Sequence, residues 1–337
     1  YPREAGKKLP AAEGCVMTKT TSLWERFQAL KPTEDASAVT AIPCGSSKQH
    51  LLVRGVLGEP ALLLATETRA SPRVDIRLKH VGVQFDRRFE IANGDDGSTV
   101  VGNFCKFICD PSDLHLHQYF VELMSATAST HPGVLSAQAT DEVVDVLLEL
   151  FRKLSLPADQ SVTGLWGELL LMHLAVSPEK FVDAWHLRAT DGFDFAFPDK
   201  RIEVKATERP SREHDFSLKQ VRSGRETDFV ASITLARSSA GLSALDLGRL
   251  IAERLDAAQQ AKLWRLVLET LGGDADGEHR FDAKSASDGL VFVRASDVPA
   301  PEVSASVAAF VTEVRFRSNI NVLCSTSAID KAKILGG

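Results

Sequence analysis

DGFDFAFPDKRIEVKAT, residues 191–207, sets two apolar alternations back to back with a turn between them. Side chains alternate across a strand, so Phe193, Phe195 and Phe197 share one face, and Asp194 and Ala196 the other. Pro198-Asp199-Lys200 supplies the turn. On the return, Ile202, Val204 and Ala206 face one way while Glu203, Lys205 and Thr207 face the opposite way. A hairpin about that turn commits its apolar side to the core and brings Asp194 beside Glu203 and Lys205. Two neighbouring carboxylates repel each other and raise each other's pKa unless a cation sits between them. A hard divalent ion with oxygen ligands removes the conflict, and Mg²⁺ is the usual occupant where phosphate is the substrate. A lysine on the same face then positions or polarises the attacking water, or steadies charge on the phosphate. The trio reads as a metal site for attack on a phosphodiester.

Around this stretch lies a chain of 337 residues, too long for one small core, so two domains are the natural expectation. It is 44% hydrophobic and 25% charged, the composition of an ordinary globular protein. The net charge of −6 offers no global basic field for nucleic acid, so any such surface must be local. Cys15, Cys44, Cys105, Cys109 and Cys324 are odd in number and scattered, and no second pair joins Cys105 and Cys109 into a zinc site. That pattern predicts a reduced, cytoplasmic chain without a disulfide framework. No apolar run reaches the roughly 18 residues of a membrane span, and no signal-peptide pattern opens the chain. Residues 1–20 read as an unstructured leader, with Met17 as a candidate natural start.

Three regions follow. After a short helix in SLWERFQALK, residues 41–109 read as strands broken by turn signals: HLLVRGVLG, PALLLATET, VDIRLKHVGVQF and RFEIANGDDGSTVVGNFCKFIC. NGDDGS is the strongest of the turns. From 113 the period becomes helical: Leu116, Phe120, Leu123 and Met124 form one face, Val144, Leu147, Leu148, Phe151 and Leu154 a second, with HPG at 131–133 between them. TGLWGELLLMHLA adds a third helix, FSLKQVRSG a further candidate, and DFVASITLA a strand. The last hundred residues hold a helix pair, LDLGRLIAERLDAAQQAKLWRLVLETL, and two strands, GLVFVRAS and VTEVRFRS. The expected division is a leader (1–20), a β-rich module (21–112), a catalytic core with its preceding helices (113–240) and a C-terminal α+β extension (241–337).

Asp194 with Glu203-x-Lys205 across a hairpin resembles the core of the PD-(D/E)XK nuclease superfamily, the restriction-endonuclease-like fold. Many members carry a metal-site glutamate on the preceding helix in a pattern similar to G-x-x-G-E-L, and this chain has Gly164-Leu165-Trp166-Gly167-Glu168-Leu169. Glu168 shares a helix face with Gly164, Leu171 and Met172, an odd place for an unpaired carboxylate, and the glycines permit close packing on the sheet. HDFSLKQVRSG resembles the helix that supplies a glutamine or basic residue to such sites, with Gln220 the candidate ahead of His214 and Lys219. The resemblance implies an α/β fold with an αβββαβ core, one strand of which is unassigned here. A narrower resemblance is to bacterial PD-(D/E)XK proteins associated with restriction systems, which share the β-rich N-terminal part, W-G-E-L and E-V-K-A-T. It implies a Mg²⁺-dependent endodeoxyribonuclease, with Mn²⁺ able to substitute, that leaves a 5′-phosphate. Glu168, Asp194 and Glu203 would hold the metal, Lys205 would assist the nucleophile and Gln220 would orient water or phosphate.

Departures and simpler readings stand beside it. Phe193 occupies the place of the motif's proline, and Asp191 rivals Asp194, which is preferred because it lies within the phenylalanine alternation on the Glu203 face. A [DE]-x-K triplet is cheap; Asp282-Ala283-Lys284 is another. Glu203 and Lys205 could be a solvent pair on an edge strand, worth under about 1 kcal/mol, and Glu168 a helix-surface residue. His115 and His117, at i and i+2, point apart and read as surface histidines. Cys105 and Cys109 read as core, and GSSK at 45–48 lacks the spacing of a phosphate loop. The basic run Lys200, Arg201, Lys205, Arg209, Arg212, Lys219, Arg222 and Arg225 could contact phosphates, with Arg209, Arg212, Lys219 and Arg222 the leading candidates, or be a solvated face. Expected partners are DNA and, lacking any helicase or ATPase motif here, separate ATPase or translocase and methyltransferase subunits, with a homodimer left open and no membrane. The alternatives are an inactive structural or DNA-binding subunit of such a complex, and a nuclease of repair or of RNA.

Overall fold

The computed structural model describes residues 22–32, 39–93, 99–155, 162–185, 192–222, 224–271, 279–304, 306 and 310–336. The leader with Met17 and Cys15, the tip of the NGDDGS turn and Asp191 lie outside them. The chain is a mixed α/β protein. Helix α1 (Leu23–Ala29) starts at a capping box in which Ser22 and Glu25 satisfy each other's backbone amides.

Strands β1 (Val39–Pro43), β2 (Leu51–Arg54), β3 (Pro60–Ala65), β4 (Ile76–Arg77), β5 (Val81–Asn93) and β6 (Thr99–Cys109) make the N-terminal sheet. Its order is β1-β2-β3-β6-β5-β4, and β1 also pairs in parallel with β5, so five strands close on themselves. Inside lie Ala41, Leu51, Val53, Ala61, Leu63, Ala65, Ile91 and Phe104. The alternate positions Leu52, Leu62, Leu64, Val83 and Phe107 point outward into the main core. With both faces covered, β2 and β3 have no polar side, and their sequences run apolar without alternation. VGVQF and RFEIA, separate stretches in the sequence pattern, are one 13-residue strand. The ladder slips between Gln84 and Arg87, where Asp86 takes a left-handed φ of 54°, a bulge that bends the strand round the barrel.

Helices α2 (Leu114–Thr130) and α3 (Ala137–Lys153) follow, then α4 (Val162–Leu174) and α5 (Pro178–Ala184). Residues Leu165 to Met172 are all buried, because α4 is apolar on every side and sits within the protein. Then come β7 (Phe195–Ala196), β8 (Arg201–Thr207), β9 (Glu213–Ser217), α6 (Leu218–Val221) and β10 (Asp228–Thr234). From α4 to β10 the chain order is α-β-β-β-α-β, with α5 inserted. The pairing departs from a simple core: β7, β8 and β10 share a sheet, whereas β9 pairs with β13 (Arg315–Asn319). The fourth strand of the sheet is β12 (Val291–Arg294), so the C-terminal extension completes the layer that carries the hairpin. FSLKQVRSG is also less helical than its sequence suggests. Phe216 and Ser217 belong to β9, and α6 is a single turn.

One face of this sheet, with Val204, Ala231, Ile233 and Phe292, joins the main core under α4. Gly167 makes that approach possible: a Cβ there would stand 3.1 Å from Ala206 Cβ and 3.2 Å from Val204 Cγ1. The opposite face, with Val230 and Val293, packs on Phe216, Val221 and Ile320 in a smaller core. Beyond lie β11 (Arg237–Leu242), α7 (Ala244–Ala252), α8 (Ala257–Leu271), α9 (Ala283–Gly289), α10 (Asn321–Thr326) and α11 (Lys331–Leu335). The Asp282-Ala283-Lys284 triplet is an N-cap, Asp282 accepting from the Ser285 amide. His117 is buried, not on the surface, with Nε2 at 3.1 Å from the Asp110 carbonyl, while His115 is exposed. Cys105 and Cys109 are core residues, and burial pushes the Cys105 thiol up to about 12. Among the described residues no helix is long and apolar enough to cross a membrane.

Gly167→Val should lower stability by about 1–3 kcal/mol in urea denaturation, because the added atoms have no space against Val204 and Ala206. An unchanged unfolding midpoint would mean that α4 does not rest on the sheet as described.

Candidate metal and catalytic centre

Register builds the site. Phe195 pairs with Ile202 and Ala196 with Arg201, and the turn closes with the Phe197 amide donating to the Lys200 carbonyl. Asp194 lies one residue outside that ladder, in the bend that leads into β7. There the carboxylate stands in for the ladder: the Val204 amide donates to Asp194 Oδ2 at 2.6 Å. Phe195 and Phe197 pack together on Phe181 of α5 at centroid distances of 5.3 and 4.9 Å. Phe193 parts from this alternation, because Arg201 lies over its ring at 4.3 Å. Arg201 also makes two bonds to the fully buried Asp228, pinning the first rung between β8 and β10. Behind the turn, Lys200 is buried and donates to the Ile334 carbonyl of α11.

Glu203 and Lys205 leave β8 on the same face. Lys205 Nζ is 2.6 Å from Glu203 Oε1 and 5.4 Å from the centre of the Phe216 ring. Gln220 reaches the same carboxylate: its Oε1 accepts from the Ser217 amide in a capping box, and its amide bonds to Glu203. Glu168, only 4% exposed, accepts from the Trp185 indole N–H at 2.6 Å. Burial pushes the Glu168 carboxyl up to about 7, with the charge of Glu203 adding to the rise. Asp194 is raised well above the usual carboxylate range by burial and by the charges of Glu203 and Glu168. Glu203 is raised by burial and partly relieved by Lys205. Lys205 is a cation whose charge favours the ionised form of all three.

The five sequence-predicted residues Glu168, Asp194, Glu203, Lys205 and Gln220 are thus joined through hydrogen bonds and charge. His214 stands aside: burial and the nearby Lys205 charge lower its pKa to about 4, and its Nε2 meets Ser232 Oγ at 2.8 Å. Arg212, one of the expected phosphate contacts, has a structural task in this fold. Its guanidinium donates to the Ser232 carbonyl and hydroxyl and to the Gly289 carbonyl. Arg209, Lys219 and Arg222 are exposed. Trp185 escaped sequence reasoning, since an indole outside any motif gives no signal until the fold brings it to a carboxylate. Ser217 lies inside the HDFSLKQVRSG stretch, yet sequence reasoning missed it as the cap that seats Gln220.

The buried Glu168 and Glu203 and the half-buried Asp194, all of raised pKa, are the donor type and charge that a hard divalent cation takes. Among the described residues, however, no three His, Cys, Asp or Glu groups are drawn together tightly enough to bind an ion as placed. Glu203 is instead engaged with Lys205.

A family model described as "Putative PD-(D/E)XK family member, (DUF4420)" matches residues 21–321. The chain belongs to this family. As a PD-(D/E)XK protein it falls in a superfamily of phosphodiester-cleaving nucleases that generally use divalent metals. The match covers the N-terminal barrel as well as the hairpin, so barrel and site together make up the family's unit. Searches of curated proteins and of solved structures return no match.

A carboxyl with a raised folded pKa keeps its proton longer in the folded state than in the unfolded one, so metal-free stability falls as pH rises between the two values. For Glu168 that window runs from about 4.5, its ordinary value, to about 7. Thermal melts in chelator should show stability declining across it, and Glu168→Gln should flatten part of the decline. A rise in stability over the same range would contradict the burial of these groups.

Proposed function

We propose that this PD-(D/E)XK protein is a Mg²⁺-dependent nuclease that hydrolyses phosphodiester bonds of DNA. The observation that supports the reading best is the Val204 amide donating to Asp194 Oδ2, which holds Asp194 against the strand that carries Glu203 and Lys205. Glu168, Asp194 and Glu203 would hold Mg²⁺, or Mn²⁺ in its place. The bound ion supplies a Lewis acid and a water of lowered pKa. Lys205 Nζ, partly exposed and backed by the Phe216 ring, steadies charge on the phosphate or orients the attacking water. Gln220 orients Glu203 through its amide. The expected product carries a 5′-phosphate.

Exposed Arg209, Lys219 and Arg222 would bind the DNA backbone, contributing affinity without sequence choice. We place the protein in a bacterial restriction or antiviral defence system, in the cytoplasm, as the cleavage subunit beside ATPase or translocase and methyltransferase partners. Its N-terminal barrel, which contributes none of the five site residues, would serve recognition or assembly.

The Glu203–Lys205 ion pair favours a second reading, in which the site is vestigial and the chain is a structural or DNA-binding subunit. Division of labour separates the two. Asp194→Ala and Glu203→Ala should lose both cleavage and Mn²⁺ binding. Lys205 offers donors and no acceptor, so Lys205→Ala should keep or tighten Mn²⁺ while cleavage falls by about 10² or more. DNA binding should survive all three. Calorimetric Mn²⁺ titration beside a cleavage assay with partners present reads this out, and a wild-type protein that neither binds Mn²⁺ nor cuts would establish the second reading.

A further inference from the structure

Trp185 is 2% exposed and belongs to no motif, yet it touches two of the carboxylate-bearing elements. It is the C-cap of α5, in extended backbone, and its main chain bridges antiparallel to Phe195, next to Asp194. Its indole N–H meets Glu168 Oε2 at 2.6 Å in a buried setting. Phe181 of the same helix, packed on Phe195 and Phe197, holds α5 against the hairpin.

From this geometry we infer that Trp185 is a positioning residue of the metal centre, fixing the Glu168 carboxylate for the cation and leaving its charge intact. The inference rests on the reading of Glu168 as a metal ligand. An indole N–H is a single neutral donor with no acceptor. It satisfies one oxygen of a buried carboxylate, which would otherwise carry the full cost of lost solvation, and it cannot neutralise the charge as an arginine or lysine would. Each of the three carboxylates has a neutral donor of this kind: Trp185 for Glu168, the Val204 amide for Asp194 and Gln220 for Glu203. Outer partners of metal ligands orient them in this way, and their loss weakens metal affinity by about 10–100-fold. Because Trp185 also bridges to Phe195, the same residue sets Glu168 relative to the strand that follows Asp194.

The test is calorimetric Mn²⁺ titration of the full chain as wild type, Trp185→Phe, Glu168→Gln and the double variant. Trp185→Phe keeps an aromatic ring and removes the donor; Mn²⁺ affinity should fall by about 10–100-fold. If that variant does not fold, site-specific benzothienylalanine at position 185, which has the shape of indole without its N–H, takes its place. In the Glu168→Gln background the Trp185 change should add nothing, because its effect runs through that carboxylate. A purely structural tryptophan would lower the unfolding temperature and leave Mn²⁺ affinity unchanged, overturning the inference. Equal losses in the presence and absence of the Glu168 carboxylate would overturn it as well. If Glu168→Gln weakens Mn²⁺ and Trp185→Phe does not, the inference fails while the metal-site reading stands. If Glu168→Gln binds Mn²⁺ like wild type, the metal-site reading fails and the inference with it.

Discussion

The repulsion among Glu168, Asp194 and Glu203 is the constraint around which this part of the protein is arranged. Carboxylates withdrawn from water favour their protonated forms, and the Glu203 charge adds to the rise at both Glu168 and Asp194. Every contact at the site answers that problem in part. Lys205 lends a positive charge from two residues away, Trp185 and the Val204 amide each donate a hydrogen, and Gln220 bridges from a one-turn helix. None of these provides the double charge that three carboxylates would take from a divalent ion.

Holding like charges together requires a rigid frame, and the surrounding packing supplies it. Arg201 pins the first rung of the central strand pair through the buried Asp228, and Lys200 ties the hairpin turn to the last helix. Gly167 lets α4 descend onto Val204 and Ala206, which sets the height from which Glu168 approaches. On the opposite face, β9 leaves the central sheet to pair with β13 and covers the site with Phe216. The C-terminal extension is therefore part of the layer that carries the candidate site, supplying both an edge strand and the partner of β9.

That arrangement explains why the basic run between 200 and 225 does not act as one surface. Lys200, Arg201 and Arg212 turn inward to carbonyls, a hydroxyl and a buried aspartate, so their charge serves the frame. Arg209, Lys219 and Arg222 remain exposed. A run of like charge in sequence is thus divided by the strand and loop geometry into groups with different tasks.

The sequence by itself determined the hairpin, because period-two alternation about Pro198-Asp199-Lys200 permits one register that turns Phe195 and Phe197 to the core. That register leaves Asp194 one residue before the ladder, within reach of the Val204 amide. It likewise determined that α4 is a helix, while the burial of Glu168 came from the packing that encloses α4 on every side. Tertiary structure alone decided the rest. Closure of the barrel depends on β1 meeting β5, a pairing between residues far apart in the chain that no local pattern encodes. Phe193 left its alternation because a guanidinium from the facing strand took its ring, and β9 left the sheet because β13 offered a partner. Trp185 became a partner of Glu168 only when α5 folded beside the hairpin. Local periodicity fixes which face a side chain takes; which group it meets there is set by long-range packing.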